Sequence, residues 1–245
     1  MTANPHTTIP VVFLSGMLAD YRMWQPVMAR MDARARRGVA PAITPIIPAL
    51  DTKDDVVAMA RDVLEQVPDR FVLVGMSMGG YVAFEILRMA RERVSHLMLL
   101  NTRATADDPV IRRRRLLLAR LSGRNLPFRG INDAMLDDML HPDHRHNREL
   151  VGLLSDMAED LGEDVFKRQI IAVANRPDSM ALLSELDIPC TVMVGEADRV
   201  ISPASHHDMA ARIPGARMIE VAGAGHYVPL EQPDICADAL CALIT

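Results

Sequence analysis

The sequence predicts an α/β fold, a doubly wound and mostly parallel sheet with helices packed on both faces. Four short apolar runs bounded by turn residues predict strands that are buried on both sides, as in a parallel sheet; they span residues 10–16, 71–75, 94–101 and 190–195. Apolar residues at helical spacing predict helices at 54–67 and 78–91, so strands and helices alternate. A chain of 245 residues, 49% of them hydrophobic, is long enough to surround such a sheet with one core.

The alternation stops between residues 103 and 184, where the sequence is helical in pattern, rich in charge and without a convincing strand. An insertion between two strands of a sheet lies over an edge of that sheet, and ligands bind at the edge formed by the carboxyl ends of the strands. We therefore predict a helical cap at 103–184, inserted before the last strands of a core formed by residues 1–102 and 185–245.

Composition and charge argue against several classes of partner. A formal net charge of −5 provides no general attraction for nucleic acid or for an anionic membrane surface. No uninterrupted apolar stretch reaches the roughly 20 residues of a membrane-spanning helix. The three cysteines form no CxxC pair, and the apolar stretch at 9–19 lacks the features of a secretion signal. We expect a cytoplasmic protein that acts on a small molecule and binds neither nucleic acid nor membrane; the sequence leaves its oligomeric state open.

The most informative motif is Gly75-Met76-Ser77-Met78-Gly79, placed directly between a predicted strand and a predicted helix. In this context G-x-S-x-G predicts a sharp strand-to-helix turn that exposes the serine hydroxyl at the end of the strand. Glycines on either side allow the close backbone approach that such a strained turn requires. Ser77 is therefore the candidate nucleophile.

A serine hydroxyl needs a base within hydrogen-bond reach and a carboxylate that orients the base. His226 ends the small-residue loop 223–226, which follows a predicted short strand at 216–221. Asp198 lies just past the strand at 190–195, and the chain order Ser, Asp, His is one that a strand-to-helix nucleophile uses. Glu196 competes for the role of the acid, and Asp198 has the alternative role of capping the helix that begins near Pro203.

These motifs resemble those of the α/β-hydrolase superfamily, and most of all its small bacterial serine esterases and lactonases that carry a helical cap. The resemblance rests on residues 75–80, 195–203 and 225–226, followed by Glu231-Gln232-Pro233, and it covers nearly all of the chain outside the cap. It implies an α/β-hydrolase fold and a serine hydrolase that needs no cofactor and no metal. The implied substrate is a small carboxylic ester, lactone or thioester, cleaved through an acyl-enzyme.

An acyl-transfer site also needs two backbone N–H groups that stabilise the oxyanion of the tetrahedral intermediate. We expect the first from Met78, at the start of the helix after Ser77, and the second from Met17, in the loop after the first strand. Relatives often have His-Gly in that loop, where this chain has Ser15-Gly16.

The substrate pocket is harder to read from the sequence. We expect Leu18, Met76, Gln169 and Tyr227 to line it, with a surface or capping role as the alternative for Gln169. The run Arg112–Arg115 suggests binding of a carboxylate-bearing substrate, but four consecutive helical residues point in different directions, so at most one of them reaches the pocket. The histidines at 141–146 lack the HExxH pattern and a cysteine partner, so we expect no metal site there.

Two other functions remain open on the sequence. The same three residues would serve the hydrolysis of a carbon–carbon bond, an enol-lactone or an amide, because one fold supports many chemistries. The scaffold would also serve as a small-ligand receptor without catalysis, although an intact serine, acid, histidine and glycine-rich turn argue against this.

Overall fold

A computed structural model of the protein describes residues 8–122, 128 and 130–245. Within them the sheet has six strands, β1 (Ile9–Leu14), β2 (Ile43–Ile46), β3 (Phe71–Met76), β4 (Val94–Leu100), β5 (Cys190–Gly195) and β6 (Arg217–Val221). The described α-helices are α1 (Gln25–Arg36), α2 (Val56–Gln66), α3 (Met78–Ala90), α4 (Pro109–Leu121), α5 (Asp133–Met139), α6 (Arg148–Asn175), α7 (Met180–Leu183), α8 (Pro203–Ala210), α9 (Val228–Glu231) and α10 (Pro233–Ile244). Every strand pairing is parallel, which confirms the predicted doubly wound α/β architecture.

The strand order, β2-β1-β3-β4-β5-β6, places the point where the winding reverses between β1 and β3. From β1 the chain crosses to β2 at one edge, then returns to β3 on the other side of β1 and continues stepwise to β6. Ligands of open α/β sheets bind in the crevice at this reversal, outside the carboxyl ends of the strands. Leu14 pairs with Gly75, so β1 and β3 end at the same level and bring the loops that follow them side by side.

Alternate residues of β1 enter two hydrophobic cores, one on each face of the sheet, because successive side chains of a strand point in opposite directions. Val11 and Phe13 pack in a core with residues of α1 and α10. Val12 and Leu14 pack in the other core with residues of α2 and α3. All four side chains are fully buried, and burying each contributes about 1.5–3 kcal/mol. The sheet thus forms a rigid platform from which the loops at its carboxyl end project.

Helices α4 to α7 occupy the chain between β4 and β5, and the described part of this segment contains no strand. The longest of them, α6, is interrupted at Gly162, whose φ of +75° is accessible to glycine with little strain. The division of the chain into a core and a cap at residues 103 and 184 stays a prediction. No helix in the described ranges combines the length and the apolar character needed to cross a bilayer.

Candidate active site

Ser77 occupies the turn between β3 and α3 with φ +53° and ψ −115°, a backbone conformation that costs free energy for any residue other than glycine. Two hydrogen bonds to the end of β4 and the loop beyond it hold the turn in place. The Ser77 amide donates to the Leu100 carbonyl (3.0 Å), and the Thr102 hydroxyl donates to the Ser77 carbonyl (2.8 Å). The strained conformation is therefore maintained by the neighbouring strand.

The glycines around Ser77 are required by close backbone packing. A Cβ atom at Gly75 would lie 2.8 Å from the Gly79 carbonyl oxygen, and a Cβ atom at Gly79 would overlap the Leu14 carbonyl. Any larger residue at either position would push α3 away from the sheet. The G-x-S-x-G pattern is thus a steric consequence of placing a helix directly against the end of β3.

The structure brings Ser77, His226 and Asp198 into one hydrogen-bonded chain. The His226 Nε2 atom lies 3.0 Å from the Ser77 Oγ atom, and its Nδ1 atom lies 2.8 Å from an Asp198 carboxylate oxygen. Both His226 and Asp198 are only 3% exposed. When Nδ1–H donates to the carboxylate, the unprotonated Nε2 faces the serine hydroxyl and can accept its proton. This arrangement is able to generate a serine nucleophile at neutral pH.

Asp198, and not Glu196, is the acid that contacts His226. The second oxygen of Asp198 accepts hydrogen bonds from the Val200 and Ile201 amides, both at 2.9 Å. Glu196 instead accepts from the Gly223 amide at 2.7 Å. The alternative cap role is wrong for α8, because Ser202 stands at its N-cap position.

Asn101 supports the acid in a way that the sequence analysis did not foresee. Its side-chain amide donates to the Asp198 carboxylate (2.9 Å) and to the Gly225 carbonyl (3.1 Å), so it joins the loops that carry the acid and the histidine. Burial raises the pKa of Asp198, but the attraction of His226 and the hydrogen bonds from His226, Asn101 and Ile201 outweigh it and hold the pKa below its ordinary value. Asp198 is thus kept ionised beside the imidazole.

Glu231 holds the loop that carries His226. One of its carboxylate oxygens accepts from the amides of Gly225 (2.9 Å) and Tyr227 (3.2 Å), on either side of the histidine. The other accepts from the His141 amide at 2.7 Å. Glu231 belongs to a motif that supported the family resemblance, but its bracing role depends on contacts that the motif does not reveal.

The loop after β1 lies directly beside Ser77. A Cβ atom at Gly16 would stand 2.9 Å from the Met76 sulfur and 3.4 Å from the Ser77 Cβ atom. Met17 and Met78 both line the cavity over Ser77, as the proposed pair of oxyanion donors requires. The Met78 amide opens α3, where amides have no acceptor within their own helix. Both residues thus border the cavity, and the role of their amides as oxyanion donors stays a prediction.

Ser15 secures the start of this loop. Its hydroxyl accepts a hydrogen bond from the Trp24 indole N–H at 3.1 Å and donates to the Asp20 carbonyl at 3.2 Å. Trp24 is fully buried and packs against Phe13, with ring centroids 5.0 Å apart. A side chain different from the histidine of relatives therefore anchors the loop to the core.

Leu18 and Gln169, which we expected in the substrate pocket, lie behind it. Gln169 is 1% exposed; its carbonyl oxygen accepts from the Leu18 amide at 2.8 Å, and its amide group donates to the Leu50 carbonyl at 2.9 Å. Leu18 has a φ of +54°, so this bond holds a strained residue next to Met17. The prediction that these two residues line the pocket is corrected to a role in supporting the loop.

The cavity over Ser77 has a volume of about 60 Å³. Met76 and Tyr227 line it, as predicted from the sequence. The segment between β4 and β5 contributes Arg103, Arg115, Met139 and Val173 to the lining. Arg115 is the one member of the arginine run 112–115 that reaches this cavity; Arg112, for example, bonds to the Asn175 side chain at 2.6 Å.

Two of the histidines at 141–146, His141 and His144, are engaged in hydrogen bonds with other side chains or the backbone. His144 lies 3.1 Å from a Glu231 carboxylate oxygen, and His141 accepts from the Asp143 amide. In the part of the chain that the structure describes, no three histidine, cysteine, aspartate or glutamate side chains are grouped to hold a metal ion.

Comparison with known proteins identifies the family and agrees with the fold. The model of the alpha/beta hydrolase family matches residues 11–239. A malate-bound esterase from Thermogutta terrifontis superimposes with a TM-score of 0.85 at 27% identity, covering 97% of this chain and 90% of that one. An enol-lactonase from Burkholderia xenovorans LB400 shares the fold, with a TM-score of 0.80 at 21% identity over 98% of this chain and 92% of that one. A pimeloyl-[acyl-carrier protein] methyl ester esterase from Neisseria meningitidis is 23% identical over 91% of this chain and 87% of its own length. Since the family model spans nearly the whole sequence and its fold is the one described, the protein is an enzyme of the alpha/beta hydrolase family.

Proposed function

We propose that this enzyme hydrolyses a small carboxylic ester, lactone or thioester through an acyl-enzyme formed on Ser77. The observation that carries the proposal is the continuous hydrogen-bonded chain from Ser77 through His226 to Asp198, with distances of 3.0 and 2.8 Å. In this proposal Ser77 is the nucleophile, His226 the general base and acid, and Asp198 the group that orients the imidazole.

Acylation begins when the Ser77 oxygen attacks the substrate carbonyl and its proton passes to His226 Nε2. The carbonyl oxygen becomes an oxyanion, which the Met17 and Met78 amides stabilise in our proposal. Asp198 stabilises the imidazolium that has formed. The intermediate then collapses: the carbon–oxygen or carbon–sulfur bond breaks, and His226 gives its proton to the departing alcohol or thiol.

Deacylation repeats these steps with water as the nucleophile. His226 accepts a proton from the water as it attacks the acyl carbonyl, and the same two amides hold the second oxyanion. When this intermediate collapses, the proton returns to the Ser77 oxygen and the carboxylic acid leaves. No redox step and no external proton donor besides water is required.

The comparisons support ester hydrolysis, because relatives with 23% and 27% identity over most of the chain are named esterases. The cavity volume of about 60 Å³ favours a small group next to Ser77. A lactone is included because its carbonyl presents the same chemistry, with the leaving alcohol still attached to the acyl group.

The test is the activity of Ser77→Ala on 4-nitrophenyl acetate and its labelling by a fluorophosphonate probe. We expect the variant to lose both, while Ser95→Ala, at the amino end of β4, keeps both. Unchanged ester hydrolysis in Ser77→Ala would overturn the proposal. Turnover of an amide or a carbon–carbon bond in a substrate panel that contains no active ester would favour the alternative reactions of the same three residues.

We also propose a cytoplasmic location. The three cysteines are free, and Cys190 and Cys236 are buried. Burial raises the pKa of both thiols to about 12. Such thiols are unreactive toward oxidants and are typical of a chain that works without disulfide bonds.

A further inference from the structure

Apart from Ser77 and His226, the cavity is lined mainly by apolar groups, together with two side chains of the same charge. Arg103, in the loop after β4, and Arg115, on α4, both line it, and no acidic residue of the described chain does. Each of these side chains is 27% exposed. The catalytic steps proposed above use neither of them, so their presence beside the nucleophile needs a separate explanation.

The arginines next to the cavity outnumber the carboxylates around them. Asp107, whose side chain is fully buried, contacts Arg103 at 3.2 Å, Arg115 at 2.8 Å and Arg176 at 2.8 Å. No other carboxylate of the described residues lies within 4.0 Å of Arg103 or Arg115, and residues 1–7, 123–127 and 129 contain no aspartate or glutamate. Three guanidinium groups therefore share one carboxylate, which leaves a local excess of about two positive charges.

Arg176 is occupied by the protein itself. Its side chain is 2% exposed, donates to the carbonyls of Thr105 (2.9 Å) and Val173 (2.7 Å), and lies over the Tyr81 ring at 4.3 Å. Its donors are thus satisfied without a ligand. The excess positive charge belongs to Arg103 and Arg115.

Arg103 and Arg115 retain unused donors. Arg103 makes one hydrogen bond to Asp107 through a single terminal nitrogen. The Arg115 Nε atom lies 2.8 Å from an Asp107 carboxylate oxygen, but this contact is an ion pair in which neither atom is aligned for a hydrogen bond. Within the described ranges the terminal nitrogens of Arg115 make no hydrogen bond to the protein. The attraction of buried Asp107, through one hydrogen bond to Arg103 and one ion pair with Arg115, keeps both guanidinium groups beside the cavity.

We propose that Arg103 and Arg115 form a subsite for a carboxylate carried by the substrate, on its acyl part or on its leaving group. This inference rests on the proposed ester hydrolysis and narrows its substrate class to acid-bearing esters. A carboxylate suits the site because it pairs with guanidinium N–H groups in a planar, bidentate geometry and is small enough for the cavity. Asp107 then serves to hold both arginines in position.

The experiment compares esters that differ in one negative charge. On the acyl side the pair is mono-(4-nitrophenyl) adipate and 4-nitrophenyl hexanoate; on the leaving-group side it is 4-acetoxybenzoate and 4-acetoxybenzamide. We expect kcat/KM to favour the acid in at least one pair by about tenfold or more. Arg103→Gln and Arg115→Gln should abolish most of that preference, measured in each variant as the ratio of kcat/KM for the acid to kcat/KM for its neutral partner.

Arg113→Gln is the matched control, because Arg113 is exposed on the same helix and does not line the cavity. It should keep the preference for the acid. Equal rates within both pairs for the wild type, or a preference that survives in Arg103→Gln and in Arg115→Gln, would overturn the inference while leaving ester hydrolysis intact.

Failure of the proposed function would look different, because no ester would be turned over. In that case calorimetric titration with succinate tests whether the subsite binds a carboxylate, independently of any catalysis. Binding that Arg115→Gln removes and Arg113→Gln retains supports it, and absence of binding to the wild type refutes it. Binding of inorganic phosphate without binding of succinate would also refute it, because the site would then select a different anion.

Discussion

Replacing Gln169 by methionine tests whether the helical segment controls the oxyanion loop. Methionine has a similar length but neither accepts strongly from the Leu18 amide nor donates to the Leu50 carbonyl, which now bond to Gln169 at 2.8 and 2.9 Å. Leaving these two buried groups without partners costs about 1–3 kcal/mol each, so we expect a loss of about 2–6 kcal/mol in the free energy of unfolding. The strained φ of +54° at Leu18 should relax and displace the adjacent Met17 amide.

The catalytic effect of this change follows from the role of the amide. Removing one oxyanion donor lowers kcat by about 10²–10³, and a displaced donor should lower it by about 10- to 100-fold. Because the interaction is made in the transition state, kcat and kcat/KM should fall together while KM stays nearly constant.

The assay is steady-state hydrolysis of 4-nitrophenyl acetate at a temperature at which each variant is folded by circular dichroism. The matched control is Ile170→Ala, the next residue on α6, which is buried but lies outside the cavity lining. Its expected cost of about 2–5 kcal/mol in stability is comparable, but kcat should stay near the wild-type value. If both variants lose stability and neither loses kcat, Gln169 supports the fold alone and the reasoning about the loop is wrong.

Three further predictions concern residues around the site. Asn101→Ala should lower kcat by about tenfold, because Asp198 and the Gly225 carbonyl lose a shared donor. The pH profile of kcat/KM shows whether the loss of this donor also affects His226. Glu231→Gln should reduce the free energy of unfolding by about 1–3 kcal/mol, measured in urea, because an amide cannot accept from all the N–H groups that the carboxylate now binds. Burial lowers the pKa of His206 from 6.5 to about 4 in the folded protein. As the pH falls, the histidine is therefore protonated in the unfolded chain before it is protonated in the folded one. The free energy of unfolding that is present above pH 6.5 should decrease by up to about 3 kcal/mol as the pH falls toward 4. His206→Gln should flatten this part of the stability–pH curve, and an unchanged slope would show that other groups cause it.

The strands with continuous apolar sequence were predictable because burial on both faces leaves a clear local pattern. β2 was not predicted, and its sequence explains why: Ile43-Thr44-Pro45-Ile46 is short, interrupted by proline and partly exposed. Proline is tolerated there because β2 lies at the edge of the sheet, where a strand needs a partner on one side only. Such an edge strand is defined by its pairing with β1, which a local pattern cannot reveal.

The residues of the candidate site also divide into those with a local sequence pattern and those defined by distant contacts. Ser77, Asp198 and His226 each follow a strand within a recognisable local motif, so the sequence predicted their proximity. Gln169 bonds to a residue 151 positions away, and its contact depends on how α6 lies against the loop. Asn101 carried a weak signal that was overlooked, since a polar residue directly after buried β4 stands at the sheet edge that holds the site.

The segment between β4 and β5 contacts the loops of the proposed catalytic residues at several points, in addition to lining the cavity. Gln169 holds the loop of the proposed oxyanion donor Met17, and the Met139 carbonyl accepts from the His226 amide at 2.6 Å. Arg115 adds a charged group to the cavity wall. In the proposed mechanism, a substitution that disturbs these contacts affects groups that act in the transition state as well as groups that bind the ground state. We therefore expect that exchanging such segments between relatives changes kcat together with KM, because the same contacts position the proposed catalytic loops.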